Sequence, residues 1–290
     1  MGTVLNAYQK TIGRAVTLSG VGVHGGAPAS ARLLPADADT GILFQRSDIK
    51  DSAPVCAHVS QIGATDLCTS LGAREARIDT VEHLMAAISA LGIDNLVVEI
   101  EGPEVPILDG TSARFIEAVD SVGVVTQDAK RRFIRILKTV RVEAGNSWGE
   151  FRPYDGTRFE VEIDFECPLI GRQKFAHDVD EETFRKELST ARTFGFMKDV
   201  ERLWAAGLVL GASLDNSLVI GDDNSIVNAD GLRFKDEFVR HKTLDAVGDL
   251  ALAGLPFIGC FSSYRGGHRL NSEAVKALLS DETAFEIIEA

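Results

Sequence analysis

The chain is poor in cysteine, with four in 290 residues and no pair at C-x-x-C spacing. That argues against a cysteine zinc site or a dithiol redox motif. Cys56, Cys68, Cys167 and Cys260 are left as free thiols of a reducing compartment. Basic charge is also short: 30 Lys and Arg stand against 43 Asp and Glu, a net charge of −13. Nucleic acid and anionic membrane surfaces bind through basic patches, so neither is expected as a partner. An anionic small molecule remains admissible if a few local cations or a helix N-terminus receive it. Long apolar runs are missing too. The longest, Leu250 to Phe261, is too short to span a bilayer and carries Gly254 and Pro256. Met1 to Val16 has no apolar core, which argues against a signal peptide, and Asn6 stands where myristoylation of Gly2 wants Ser or Thr. There is no G-x-S-x-G elbow and no P-loop. A soluble cytoplasmic protein is expected.

Two short stretches carry chemistry: Val81-Glu82-His83 and His241-Lys242-Thr243-Leu244-Asp245. A catalytic zinc needs three ligands from the His/Asp/Glu set and an open fourth position. It also needs a base that is not itself a ligand. His241 and Asp245 are four residues apart, which on a helix sets them about 40° apart on one face. His83 supplies a third ligand from far away in sequence, and Glu82 beside it is the natural base. The set points to metal-assisted hydrolysis. Each stretch alone also fits a structural role, since H-x-x-x-D arises often by chance.

Strand-like pieces at 15–18, 29–34 and 41–44 open the chain, punctuated by Gly and Pro. The spacing of Val81, Leu84, Met85, Ile88 and Leu91 predicts a helix over 78–91, with Thr80 as N-cap and Gly92 as stop. A strand at 95–100 and a helix at 112–122 follow. The second half repeats this plan: strands at 133–142 and 159–165, helices at 181–190 and 239–253, a strand at 257–261 and a last helix at 272–279 capped by Ser272. The break in apolar pattern from Gln127 to Arg132 suggests a domain boundary there. The expected fold is α+β, with domains 1–129 and 130–290 of similar plan. The small, apolar, glycine-bearing segment Trp204 to Ala212 fits a buried helix and strand, or alternatively a wall for an acyl chain.

Other features are weaker. Gly20-Val21-Gly22-Val23-His24-Gly25 matches a dinucleotide fingerprint but leads into Pro28 and a strand, so a strand–turn–strand connection is expected. His268 on a glycine loop is well placed to reach a cleft, and Asp249 lies one helical turn beyond Asp245 to support it. Thr193 has a hydroxyl suited to an oxyanion, and Lys242 a charge suited to a phosphate. His24, His58 and His177 lack acidic partners at ligand spacing.

Taken together, the chain resembles the UDP-3-O-acyl-N-acetylglucosamine deacetylases of lipid A biosynthesis. The matching stretches begin with Ser19-Gly20-Val21-Gly22-Val23-His24, Leu67-Cys68-Thr69, Thr80-Val81-Glu82-His83-Leu84, Gly92-Ile93-Asp94-Asn95 and Leu108-Asp109-Gly110. They continue with Ala191-Arg192-Thr193-Phe194-Gly195-Phe196, Phe238-Val239-Arg240-His241-Lys242, Leu244-Asp245, Gly248-Asp249-Leu250, Gly267-His268 and Leu270-Asn271.

The resemblance implies two α+β domains of like topology with the active site between their helix layers. The first domain would carry a small β insertion near the metal. The second would carry a βαβ insertion, around 192–217, forming a passage for the acyl chain. It implies His83, His241 and Asp245 as ligands of one zinc, with iron(II) an alternative occupant. Glu82 would deprotonate water, Thr193 would help hold the oxyanion, and His268 with Asp249 would protonate the leaving amine. Lys242, Phe194, Leu67, Cys68 and Gly211 would contact substrate, Lys242 at the UDP phosphates. The products would be acetate and a free 2-amino sugar. A monomer is expected, because both halves of the site lie in one chain. A zinc amidase acting on a different acetamido sugar, and a silent member acting by binding alone, are the alternatives.

Overall fold

The computed structural model of the chain describes residues 7–290. The expectations about Met1, Gly2 and Asn6 lie outside the described residues. In the first half, β1 (Tyr8–Ile12), β2 (Val16–Val21), β3 (Pro28–Pro35), β4 (Ile42–Arg46) and β5 (Val55–Cys56) come in succession. Then follow α1 (Glu82–Ala90), β6 (Leu96–Glu101), α2 (Ala113–Val122) and β7 (Val124–Lys130). A five-stranded sheet runs β2-β3-β6-β4-β5, with β4 and β6 parallel and the other pairs antiparallel. Alternation decides which face is inward: Ala29, Ala31 and Leu33 of β3 and Leu96, Val98 and Ile100 of β6 are all buried.

The second half opens with β8 (Arg132–Ile136), β9 (Val140–Ala144), β10 (Ser147–Arg152), β11 (Thr157–Asp164) and β12 (Arg172–Asp178). After α3 (Glu181–Thr183) comes a small unit: β13 (Phe194–Phe196), α4 (Met197–Ala205) and β14 (Leu218–Ile220). Then come α5 (Glu237–Ala251), β15 (Phe257–Tyr264), α6 (His268–Leu279) and β16 (Phe285–Glu289). Seven strands form the second sheet, in which β15 lies parallel to both β11 and β8. Seven of the eight residues of β15 are buried, as a central strand covered on both faces should be.

The architecture is therefore α+β, with sheets layered by helices. α2 packs on β2, α5 packs on β11 and β12, and α1 meets α5 face to face. Both of these helices are buried nearly all round, so neither shows a single apolar stripe. Gly248 allows the approach: a Cβ there would lie 2.0 Å from the Glu82 carbonyl oxygen. Gly248→Ala should force the helices apart and destabilise the fold by roughly 1–3 kcal/mol, the usual cost of overpacking. Thermal unfolding measures it, and an unchanged midpoint would contradict this contact.

Several local expectations are corrected. Thr80 does not cap α1. Its φ is +60°, Val81 holds the N-cap position, and the Thr80 hydroxyl donates to Glu104 Oε1 at 2.9 Å instead. Ser272 does not cap α6, which begins four residues earlier at His268; its hydroxyl donates to the Arg269 carbonyl. The helix expected at 181–190 is α3 followed by a π-helical turn at Phe184–Leu188. The β insertion of the first half amounts to isolated bridges, Ile62 with Leu71 and Leu71 with Ile78.

The segment at 192–217 departs from a buried helix and strand. β13 and β14 are parallel with α4 as their crossover, a βαβ unit whose second strand lies just beyond 217. No residue of α4 is buried, and Trp204 is 55% exposed. The G-x-G-x-x-G stretch forms the turn between β2 and β3, as its Pro28 requires.

Candidate functional site

The two helices that meet in the core bring the two sequence stretches together. Glu82 and His83 open α1, while His241, Asp245 and Asp249 descend one face of α5; all five are buried. His83 Nε2 and His241 Nε2 each lie 3.4 Å from Asp245 Oδ1. One donor atom from each residue falls within 4.8 Å of the others. A tetrahedral zinc with ligands at about 2.0–2.1 Å sets neighbouring donor atoms about 3.3–3.4 Å apart, so these separations fit one ion.

The surrounding bonds prepare the three donors. His241 Nδ1 faces the Ala191 carbonyl at 3.1 Å. A carbonyl only accepts, so Nδ1 carries the hydrogen and Nε2 keeps its lone pair. Burial pushes the His241 pKa down to about 4, keeping the ring neutral. Lys242 Nζ donates to Asp245 Oδ2 at 2.7 Å, while among the described residues buried Oδ1 has no hydrogen-bond partner. Burial alone would raise the Asp245 pKa, but His241 and Lys242 outweigh it and hold the carboxyl well below its usual range. A neutral imidazole and an ionised carboxylate with a free oxygen are what a divalent ion requires. Two nitrogens and an oxygen suit zinc or iron(II) alike.

Beside these donors lies an acid–base pair. Glu82 Oε1 and His268 Nε2 face each other across 3.9 Å. Burial raises the Glu82 pKa even though His268 and His83 oppose it. His268 moves the other way: burial disfavours its charge, but Asp249 Oδ2, 2.9 Å from Nδ1, lifts it to about 9. Imidazolium at the first residue of α6 opposes the helix dipole, and Asp249 compensates. A carboxylate of raised basicity facing a protonated imidazole is an acid–base arrangement for neutral pH.

The other sequence-predicted residues are more dispersed. Thr193 is half-buried; its N–H donates to the Gly110 carbonyl and its carbonyl accepts from Leu218, which fixes it at the root of the βαβ unit. Phe194 stands edge-on to the His241 ring at 6.3 Å and to Phe238 at 5.0 Å. Lys242 rests on Asp245. Leu67, at φ +67°, is 51% exposed, whereas Cys68 is buried. Burial, reinforced by Glu82, pushes the Cys68 thiol up, so it stays protonated and is no nucleophile. Gly211 lies against the turn of the first half: its N–H donates to the Val23 carbonyl, and Leu210 N–H donates to that of His24. A Cβ on Gly211 would fall 2.2 Å from the Gly22 carbonyl oxygen.

Three contributors went unassigned in the sequence reading: the Ala191 carbonyl, Thr69 and Asn271. Asn271 Nδ2 donates to Asp249 Oδ2 at 2.8 Å. Thr69 and Asn271 sit in the quoted motifs, but nothing in their spacing says which carboxylate they meet.

A family model described as LpxC, UDP-3-O-acyl N-acetylglycosamine deacetylase, matches residues 9–280. The chain belongs to that family. It is thus an amide-hydrolysing enzyme. UDP-3-O-acyl-N-acetylglucosamine deacetylases of Brucella ovis, Brucella abortus and Brucella melitensis are 99% identical to it over 286 residues. The match covers 99% of this chain and 100% of each relative. Among the described residues no helix is long and apolar enough to cross a membrane.

Proposed function

We propose that this chain hydrolyses the 2-acetamido group of UDP-3-O-(3-hydroxyacyl)-N-acetylglucosamine with one zinc ion, as a cytoplasmic, monomeric step of lipid A biosynthesis. The observation that carries this reading is the triad of His83, His241 and Asp245 set beside the facing pair Glu82 and His268. The triad would hold the metal, which when bound supplies Lewis acidity toward a carbonyl oxygen and acidifies water. Glu82 accepts the proton of the attacking water. The Thr193 hydroxyl donates to the carbonyl oxygen as charge builds on it. His268, held by Asp249, gives a proton to the departing nitrogen as the C–N bond breaks, leaving acetate and a free amine.

Leu67, Cys68, Phe194 and Gly211 are assigned to substrate contact, and Lys242 to the diphosphate. The βαβ unit lines the acyl passage, supported by the exposed apolar Trp204, Leu210 and Leu214 on its surface. Domain 1–129 then contributes α1 to the centre, and domain 130–290 contributes α5 and α6.

Acetate release from that substrate, before and after chelation and after zinc is restored, tests the whole reading. Loss and return of activity support it; no acetate from metal-loaded protein overturns the substrate. The pH profile tests His268. Its pKa is raised to about 9, so the protonated donor is present below that value and lost as pH rises through it. Above about pH 9, kcat/KM should fall roughly tenfold per unit, and His268→Gln should remove that limb. A limb that persists in His268→Gln assigns it to another group.

A further inference from the structure

Four buried groups, the acid–base pair among them, close a ring. Thr69 N–H donates to Glu82 Oε2 at 3.0 Å, and Thr69 Oγ1 donates to Asp249 Oδ1 at 2.6 Å. Asp249 Oδ2 holds His268 Nδ1 at 2.9 Å, and His268 Nε2 faces Glu82 Oε1 across 3.9 Å. Thr69 is thus hydrogen-bonded to both carboxylates of the proton-handling set, one through its main chain and one through its side chain. It is 1% exposed, and its carbonyl accepts from Val81 N–H at 3.2 Å, tying it to the entry of α1.

We infer that Thr69 is a positioning residue that holds base and acid in register with each other, an inference resting on the acid–base roles proposed above. Its N–H occupies Oε2 of Glu82, which leaves Oε1 as the lobe that faces His268. Its hydroxyl occupies Oδ1 of Asp249, which leaves Oδ2 to fix the imidazole and its tautomer. Each carboxylate therefore has one oxygen anchored and one oriented. Asn271 Nδ2 also donates to Asp249 Oδ2 at 2.8 Å, but Thr69 is the anchor that the two carboxylates share, and it ties the base to the support of the acid. A 3.9 Å gap between proton acceptor and donor is sensitive to such drift, since proton transfer requires hydrogen-bond reach at both ends.

The test is Thr69→Val, which removes the hydroxyl at nearly constant volume and keeps the N–H. Its kcat should fall roughly 10- to 100-fold, the factor that losing one hydrogen bond to a charged group carries. KM should stay within about threefold, because the loss is made in the transition state, and metal content should be unchanged. Thr69→Ser should restore most of kcat. In a His268→Ala background Thr69→Val should cost little more, since the two act as one unit.

Unchanged kcat in Thr69→Val, or an equal loss in the His268→Ala background, overturns the inference. Should Val not be tolerated, Thr69→Ser and Thr69→Ala differ by one oxygen atom, and their kcat ratio reads the hydroxyl directly. A readout without substrate separates this inference from the functional reading. The downfield NMR proton of the His268–Asp249 bond should shift in Thr69→Val and be retained in Thr69→Ser. A resonance that does not move overturns the bridge whatever the substrate is. Wild type that releases no acetate overturns the functional reading alone.

Discussion

Glu82→Gln is expected to keep its metal and lose roughly 10²- to 10⁴-fold in kcat, the range general-base catalysis contributes. The amide has almost the shape of the carboxylate, and its oxygen still accepts from Thr69 N–H, so the fold and the three metal donors should be undisturbed. What disappears is the proposed proton acceptor. Glu82 suits that role because burial raises its basicity while His268 sits opposite to receive and return charge. Metal analysis beside steady-state kinetics decides the matter. A Glu82→Gln enzyme that turns over normally would hand the base role to another group, and one that loses metal would make Glu82 a ligand.

His83→Ala and Asp245→Ala are expected to lose metal and turnover together, falling from near-stoichiometric metal to traces, because each removes one of three donors. The two should differ in stability. Among the described residues His83 Nδ1 has no hydrogen-bond partner and Nε2 has only the 3.4 Å approach to Asp245 Oδ1, so its removal leaves mainly a cavity. Asp245 also pairs with Lys242 at 2.7 Å, so its removal strands an ammonium in a largely buried place and should lower the melting temperature further. Metal content by mass spectrometry and melting curves of the metal-stripped proteins give both comparisons. Retention of metal by either variant would overturn the ligand set.

The arrangement of the site was legible in the sequence where it is local. His241 and Asp245 share a helix face by spacing alone, and Glu82 and His83 are neighbours. That His83 joins them was a candidate from its residue type, which the resemblance made firm, because nothing in spacing says which helices meet. The meeting depends on Gly248 lying against the Glu82 carbonyl, a backbone approach with no signature beyond a glycine in a helix. The caps failed for a related reason. Thr80 and Ser272 are good caps by type, but Thr80 is drawn to Glu104 from the next strand connection, and α6 starts at His268, which Asp249 holds. Tertiary partners overrode local preference in both. The bridge through Thr69 spans 180 residues between its hydroxyl and Asp249, a distance that spacing cannot encode.

The insertion is fastened to the opposite half by main chain alone at Gly211 and Leu210, whose N–H groups reach the carbonyls of Val23 and His24. Every residue except proline offers the same N–H and C=O, so these two hydrogen bonds are indifferent to the side chains around them. Only Gly211 itself is constrained, by the nearness of Gly22. Leu210 and Leu214 can therefore change without loosening the fastening, whereas Trp204 Nε1 donates to the Val209 carbonyl at 3.3 Å and helps to hold the loop. On the proposed role of the βαβ unit, fastening and occupant fit are separately adjustable at Leu210 and Leu214, and single substitutions there can change what is accommodated while the framework stays intact.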